Sequence, residues 1–394
     1  MDYVIVGNGV AGTTAAENIR ALDEEGSITL VTDEDLPFYY RIRLNDYVAG
    51  DLSEQELVAR KEQWYKDRRI DLSLGTRVVD ADPAGNAVIT EKGRKLPYDR
   101  LLIATGSRSF VPPIKGSEKK GVFTLRNIRD AREISSYARN LEKVVLIGGG
   151  LLGLEAGNAL RRLGKQVMVV EFFPRLLPRQ LDGDGAQRLQ TILEGMGFSF
   201  RLGAKTQEIG GREGAEEVLL EGGESLSAGM VVISAGVRPI MDLAEPLGLE
   251  RDKGIKVDEH LRTSLPDVYA AGDVAEFKGM PYGIWPAAME QGEAAGVNMA
   301  GGDKVYEGTT MATTLKVVGV DLASAGNIDA ENKFESRVAG DENTYRKIVL
   351  EDDRIIGCIM LGDIKGFHKV TRAMADKKPL SEVADLLASM GVGA

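Results

Sequence analysis

The sequence predicts an α/β protein built from two copies of one strand–glycine turn–helix unit, followed by a small α+β domain. Three observations carry that prediction. Asp2-Tyr3-Val4-Ile5-Val6 runs straight into Gly7-Asn8-Gly9-Val10-Ala11-Gly12. The pattern returns as Lys143-Val144-Val145-Leu146-Ile147 followed by Gly148-Gly149-Gly150-Leu151-Leu152-Gly153. After Gly301-Gly302 the chain continues to its end without a third copy. At 394 residues it is too long for one ordinary core, and two or three domains are expected. Its 47 glycines suit a fold with many tight strand-to-helix turns.

Composition narrows the function. The formal net charge of −11 argues against general nucleic-acid binding and gives no reason to expect an anionic membrane partner. A single cysteine, Cys358, excludes a disulfide framework, a cysteine metal cluster and a dithiol pair within one chain. With only His260 and His368, a histidine-rich metal site is not expected either. The N-terminus enters a strand directly, and no apolar run reaches about 18 residues. The expectation is a soluble, cytoplasmic protein.

In the first copy, each glycine of Gly-x-Gly-x-x-Gly has a physical task. Gly7 makes the tight turn, Gly9 lets a pyrophosphate approach the backbone, and Gly12 lets helix and strand pack closely. Thr13 to Ala21 reads as the helix, whose N-terminal N–H groups and dipole favour an anion. Ile28 to Thr32 is the next buried strand, ending at Asp33 and Glu34; of these acids Asp33 is the better candidate for the adenosine ribose hydroxyls, with the register open by one residue. A solvated acidic loop is the alternative. In Pro37-Phe38-Tyr39-Tyr40-Arg41-Ile42-Arg43-Leu44-Asn45, arginines among aromatics suit phosphate or a conjugated ring, though a surface loop with a hydrophobic staple fits equally. Residues 54–69 read as a helix, and 71–90 as β-like with a turn at Pro83–Asn86. Tyr98 to Gly106 is a buried strand entering a glycine turn, and Pro112-Pro113 marks a crossover between domains.

The second copy repeats strand, helix, strand and acid in the same order. A helix covers Leu154 to Leu163, with Gly157 small enough to lie close on the sheet, and Gln166 to Glu171 is a strand ending in a carboxylate. A duplicated fingerprint specifies two dinucleotide sites far better than either copy alone. Residues 184–197 read as a helix and 198–229 as short strands. Met230–Pro239 and Val268–Val274 are two further strands entering glycine turns. Tyr282–Ala288 leads into a helix over about 289–299, and residues 304–394 read as strands followed by a helix at about 380–390.

With the second fingerprint and Ala271-Gly272-Asp273 in place, residues 1 to about 302 resemble the FAD-dependent pyridine nucleotide-disulfide oxidoreductase superfamily. Pro37–Asn45 and Val274–Phe277 resemble NADH:rubredoxin reductases and the flavin region of nitrite reductase large subunits. Lys347–Gly362 has a similar flavour to the latter, with Leu361-Gly362-Asp363 the clearest local match. The resemblance implies two Rossmann-like dinucleotide-binding domains, the NAD domain inserted in the FAD domain. Residues 1–107 and 230–303 would bind FAD, 108–229 would bind NAD(P)H, and 304–394 would form a C-terminal interface or dimerisation-like domain. A homodimer is one expectation, although the family also has monomers.

Residue by residue, the resemblance assigns Gly7, Gly9, Gly12 and Asp33 to the ADP part of FAD. Ala104, Thr105 and Gly106 match a second FAD contact, Gly272 and Asp273 the ribityl and phosphate region, and Arg41 the arginine beside the flavin. Trp285 is placed to pack beside the ring or, equally, to serve as an interdomain core tryptophan. Gly148, Gly150, Gly153 and Glu171 match the NAD half, and Ala235–Pro239, including Gly236, matches the segment returning from it. Ile240 departs from the asparagine usual after that proline.

One departure decides chemistry. Family members that use a redox cysteine carry it near the flavin-facing helix, and here Leu44 and Asn45 stand there. Cys358 lies in the tail, where a buried small hydrophobe is the simpler reading. The expected function is therefore transfer of electrons from NADH through FAD, without a thiol, to a small carrier, rubredoxin by resemblance. Arg41, Arg43, Lys115, Lys119 and Lys120 are candidates for docking such an acidic carrier. Glu171 favours NADH over NADPH, because a carboxylate binds ribose hydroxyls and repels a 2′-phosphate, with Arg175 nearby to soften the effect. No catalytic acid or base and no metal is required. The alternatives are an NADH oxidase acting on oxygen, an electron-input component of a nitrite-reductase-like system, and a flavoprotein sensor or scaffold.

Overall fold

The computed structural model describes residues 1–309 and 312–392. The chain divides into two compact units. The first comprises Met1–Leu44, Leu52–Ser109 and Val237–Thr310, and the second Asn45–Asp51, Phe110–Gly236 and Met311–Ala394.

The first unit is organised on a five-stranded parallel sheet. Its spatial order is Val268–Ala270, Arg100–Ile103, Asp2–Val6, Ser27–Val31 and Ile70–Ser73. The central strand is covered on both faces, so it reads as a continuous apolar run rather than an alternating one. Tyr3 and Ile5 face a core containing Ala11, Ala15 and Ile19 of the helix Val10–Leu22. Val4 and Val6 face the other core, with Leu101, Leu243 and Val268. An antiparallel meander, Val78–Asp82, Ala87–Thr90 and Lys95–Pro97, is inserted before the fourth strand. Asn86 turns its first hairpin with φ of 44°.

The helix Trp285–Met299 closes this unit by packing on Val10–Leu22. A Cβ at Gly292 would lie 2.4 Å from the Ala11 carbonyl oxygen, and one at Gly296 2.6 Å from that of Ala15. The two glycines, one turn apart, let the backbones meet. This helix begins at Trp285 rather than near Met289, with Pro286 in its first turn, where a missing N–H costs nothing. The helix expected over 54–69 is two short ones, Glu54–Leu57 and Glu62–Asp67, because Val58 leaves helical geometry to bridge Tyr39.

The second unit repeats the plan. Its parallel sheet runs Phe198–Leu202, Gln166–Glu171, Lys143–Ile147, Met230–Ile233 and Val122–Phe123. A second meander, Thr206–Gly210, Glu217–Leu220 and Ser225–Ser227, occupies the same place in the order. The copies differ in the edge strand. Val122–Phe123 comes from upstream of its glycine turn, whereas Val268–Ala270 comes from far downstream. Met230–Ile233 pairs with Lys143–Ile147, so this strand belongs to the second sheet. The boundary drawn at 230 from sequence therefore falls one strand early.

The same unit holds a five-stranded antiparallel sheet, in the order Ala312–Val317, Val320–Gly326, Arg354–Leu361, Tyr345–Glu351 and Glu335–Gly340. Leu380–Ser389 is the expected helix, and Phe367–Ala375 is a further one that the sequence reading lacks. Within the unit, Asp182 caps the helix Gly183–Gly195, accepts from Tyr345 Oη at 2.7 Å and pairs with the buried Lys347 at 3.1 Å. Among the described residues no helix is long and apolar enough to cross a membrane.

Candidate functional site

The two glycine turns are near copies in geometry. Gly7 has φ of 116° and Gly148 of 115°, both in the region that favours glycine. The Gly7 N–H donates to the Val31 carbonyl and the Gly148 N–H to that of Val170, each at 2.8 Å. A Cβ on Gly7 would sit 2.1 Å from the Ala104 oxygen, and one on Gly148 2.2 Å from that of Ser234. A Cβ on Gly12 would lie 2.0 Å from the Gly7 oxygen, and one on Gly153 2.3 Å from the Gly148 oxygen. The outer glycines are thus required by the fold itself.

Gly9 and Gly150 are different. Each precedes its helix with ordinary extended backbone, φ of −86° and −75°. A Cβ on either would meet nothing within 4 Å. Neither the backbone nor a protein neighbour requires glycine there. The space over each helix N-terminus suits a group that must approach the main chain, as a pyrophosphate does. Asn8 fits that reading. It is buried, its Oδ1 accepts from Thr13 Oγ1 at 3.1 Å and Tyr65 Oη at 3.0 Å, and its Nδ2 has no partner among the described residues.

The rest of the first site converges on its glycine turn. Ala104 N–H donates to the Val6 carbonyl at 2.8 Å. Thr105 Oγ1 donates to the Ile240 carbonyl at 2.7 Å, and Gly106 turns the chain with φ of 71°. Gly272, with φ of 83°, lies against the other side of the turn, its notional Cβ 3.1 Å from that of Ala11. Asp273 accepts from Ser107 Oγ at 2.6 Å, joining two segments separated by 166 positions in the chain.

Arg41 lies in the single turn Arg41–Arg43 and pairs with Glu34, which also accepts from Tyr39 Oη. Its guanidinium lies 5.3 Å from the centre of the Tyr39 ring. Desolvation works against its charge, but Glu34, Tyr39 and Asp273 together hold its pKa above the usual value. Asp33 is exposed one residue beyond the strand position equivalent to Glu171. Val6 pairs with Val31 and Ile147 with Val170, so Thr32 is the counterpart of Glu171. Trp285 is half-buried and stacks on Tyr40 at 6.0 Å, with Phe38 at 5.9 Å.

In the second site Glu171 is buried and accepts from the Gly149 N–H at 2.6 Å and the Phe173 N–H at 2.8 Å. Gly157 approaches the sheet as expected, its notional Cβ 3.1 Å from the Phe198 ring. Gly236 has φ of 95°, and its carbonyl accepts from the Phe110 N–H at 2.9 Å. Arg175 bonds the Leu181 and Pro178 carbonyls, each at 3.3 Å. Lys115 pairs with Glu208 at 2.9 Å and Lys119 donates to the Gly211 carbonyl, so two of the expected docking cations serve the second unit's own structure.

From sequence alone Asn8, Gln291 and Glu155 carry no role, and Glu34 ranks behind Asp33. Glu155, on the helix Leu151–Arg162, accepts from the Val318 N–H at 3.0 Å. Burial pushes its carboxyl above the usual range, and Asp46 pushes the same way. Its place two residues past Gly153 is the signal that was available. Cys358 is fully buried in the C-terminal sheet, and burial pushes its thiol up to about 12. Among the described residues, no group of three or more His, Cys, Asp or Glu could hold a metal ion.

Residues 1–292 match the model of the family described as pyridine nucleotide-disulphide oxidoreductase, and 312–378 match that of the rubredoxin NAD+ reductase C-terminal domain. The chain is 36% identical to a nitrite reductase [NAD(P)H] of Bacillus subtilis over 97% of its own length and 48% of the relative's. It is 31% identical to an NADH-rubredoxin oxidoreductase of Clostridium acetobutylicum over 97% of each chain. The crystal structure of the NADH:rubredoxin oxidoreductase from that organism superposes with a TM-score of 0.84 at 30% identity, over 96% of both chains. The chain spans about half the length of the nitrite and nitrate reductase relatives that it matches.

Proposed function

Because the chain belongs to the pyridine nucleotide-disulphide oxidoreductase family, whose members use FAD and NAD(P)H, we propose that it is a flavoprotein oxidoreductase taking a hydride from NADH and passing electrons to a small carrier of the rubredoxin kind. The observation that carries this reading is the pair Gly9 and Gly150. Two turns of one geometry each keep glycine where only an incoming ligand would need it. FAD supplies two-electron acceptance and one-electron release, so the protein's part is binding, orientation and electrostatics.

On this reading Gly7, Gly9 and Gly12 cradle the FAD pyrophosphate on the helix Val10–Leu22, and Asp33, one residue past the position that matches Glu171, is the acid proposed for the adenosine ribose. Ala104, Thr105, Gly106, Gly272 and Asp273 form the second FAD contact, with the Asp273 carboxylate steadied by Ser107. Arg41, held by Glu34, places positive charge in the same unit, and Trp285 with Tyr40 offers a flat apolar wall. The helix Trp285–Met299 adds first-turn N–H groups able to stabilise negative charge.

NADH occupies the second turn through Gly148, Gly150, Gly153 and Gly236. The buried Glu171 carboxylate beside Gly149 favours ribose hydroxyls and opposes a 2′-phosphate. Electrons leave without a thiol relay: the only cysteine is buried, and its raised pKa keeps it protonated at neutral pH.

The test is stopped-flow. The FAD-loaded protein is reduced with NADH, then mixed with rubredoxin, ferredoxin, quinone or oxygen. Reoxidation by rubredoxin well above the oxygen rate is expected, and equal rates would sink the rubredoxin assignment in favour of an oxidase. A second reading, the electron-input part of a nitrite-reductase-like system, draws on the 36% identity to the Bacillus subtilis enzyme. It gains if no soluble carrier accelerates reoxidation.

A further inference from the structure

Gln291 has no place in the reading above, yet it is 1% exposed at the heart of the first unit. It sits on the helix Trp285–Met299, beside Gly292, where that helix meets Val10–Leu22. Its Oε1 accepts from the Gly272 N–H at 2.8 Å, the residue next to Asp273. On its other side Nε2 donates to Tyr306 Oη at 3.4 Å. Tyr306 Oη lies 2.7 Å from Thr309 Oγ1, which donates to Glu290 Oε2 at 2.5 Å.

The direction of this chain follows from its ends. An ionised carboxylate only accepts, so Thr309 donates to Glu290, and Tyr306 must then donate to Thr309. The Tyr306 oxygen is left as acceptor, which turns the Gln291 amide so that its carbonyl faces Gly272. Burial raises the Tyr306 pKa and keeps its proton in place. Four donors therefore point one way, from the positive-φ Gly272 turn to a carboxylate.

We propose that Gln291 is a positioning residue for the flavin site, fixing the Gly272–Asp273 turn through a polarised chain that runs by Tyr306 to Thr309. It acts through Asp273 and touches no reacting atom. This rests on the assignment of FAD to the first unit. Glutamine is specified at 291 because both of its ends are used. Leucine would leave the Gly272 N–H unpaired in the interior, and ionised glutamate would confront the Tyr306 oxygen with a second acceptor.

The test measures FAD affinity by flavin-fluorescence titration, the bound-flavin spectrum and midpoint potential, and the melting temperature of the FAD-free protein. Gln291→Leu should weaken FAD about 10- to 100-fold, with a changed bound-flavin spectrum. Tyr306→Phe and Thr309→Val, which keep side-chain shape, should weaken it about 2- to 5-fold and shift the potential in the same direction as each other. Wild-type affinity, spectrum and potential in Gln291→Leu overturn the proposal. So does a loss of FAD affinity matched by an equal loss of FAD-free stability, which is a structural effect only. If Gln291→Leu does not fold, the two milder variants decide, and unchanged values in both overturn it. A wild-type chain that binds no FAD overturns the cofactor assignment instead, so the two failures are distinguishable.

Discussion

Alanine at Gly7 and at Gly9 should have opposite consequences, although the residues lie two apart in one loop. A Cβ at Gly7 would be 2.1 Å from the Ala104 oxygen and 2.6 Å from its carbonyl carbon. That contact is with backbone of the neighbouring strand, so relief needs movement of the sheet rather than of a side chain. Overpacking costs about 1–3 kcal/mol, and a positive φ on a non-glycine residue about 1–2 more. The sum, roughly 2–5 kcal/mol, is a large part of an ordinary domain's stability of about 5–15 kcal/mol. At Gly9 the same methyl meets nothing within 4 Å, and φ of −86° suits any residue. Its cost to the FAD-free fold is that of alanine replacing glycine at a helix N-cap, about 1 kcal/mol or less. It occupies the space assigned to the pyrophosphate, so FAD affinity should fall at least about tenfold. Urea unfolding of the FAD-free variants, paired with fluorescence titration of FAD, separates the two effects. Gly9→Ala that destabilises the FAD-free protein as much as Gly7→Ala, or that binds FAD like wild type, would refute the reasoning.

Gly150→Arg should abolish bleaching of bound flavin by NADH while leaving FAD in place; loss of FAD instead would show that the two sites are exchanged. Gly292→Val should destabilise the first unit by about 2 kcal/mol or more, read by chemical denaturation, because its Cβ would lie 2.4 Å from the Ala11 oxygen. Lys347→Met should cost about 3–5 kcal/mol, since it strands Asp182 in the interior, and the double variant Lys347→Met/Asp182→Asn should cost less than the two single changes added. Glu155 binds its proton more tightly folded than unfolded, because burial disfavours its charge. Its stabilising contribution is therefore present below the unfolded-state pKa and lost as pH rises through the folded one. Glu155→Gln should raise the melting temperature at pH 7 and leave it unchanged near pH 4; an equal shift at both would mean that the carboxyl's charge is not the cause.

What the sequence made legible was local. Gly7, Gly12, Gly148 and Gly153 are fixed by contacts within one turn or the strand beside it, so spacing alone announces them. The family's two-domain plan followed because the same local signal occurs twice. Elements whose geometry depends on distant partners were harder to read. Val58 bridges Tyr39 and ends what periodicity describes as one helix. Met230–Ile233 looks like a return to the first domain until its pairing with Lys143–Ile147 puts it in the second sheet. The helix Phe367–Ala375 could have been found from Phe367, Val370 and Ala373, three buried residues at spacings of three, but β-branched Val370 and Thr371 weaken its propensity.

The candidate sites divide along the same line. Their glycines were visible, whereas the side chains that hold them were not. Glu34 has meaning only with Arg41 and Tyr39 folded back on it, and Asn8 only with Tyr65, 57 residues away. Gln291 looks like one more polar residue on an alanine-rich helix until Gly272 arrives beside it from the turn after Val268–Ala270. A glycine turn can be written into a short motif because its constraint is steric and lies within the chain's own immediate path. A polar anchor cannot, because the donor or acceptor it satisfies is supplied by the topology. Departures from a family pattern carry the most information where both kinds of constraint meet. Buried Leu44, which with Asn45 stands where the resemblance implies a cysteine in thiol-using members, is one such position. Returning a cysteine there should not by itself give disulfide reductase activity, because a thiol buried as Leu44 is resists ionisation and is screened from a substrate disulfide. Robust disulfide reduction by Leu44→Cys would mean that the missing thiol was all that separated this chain from those relatives.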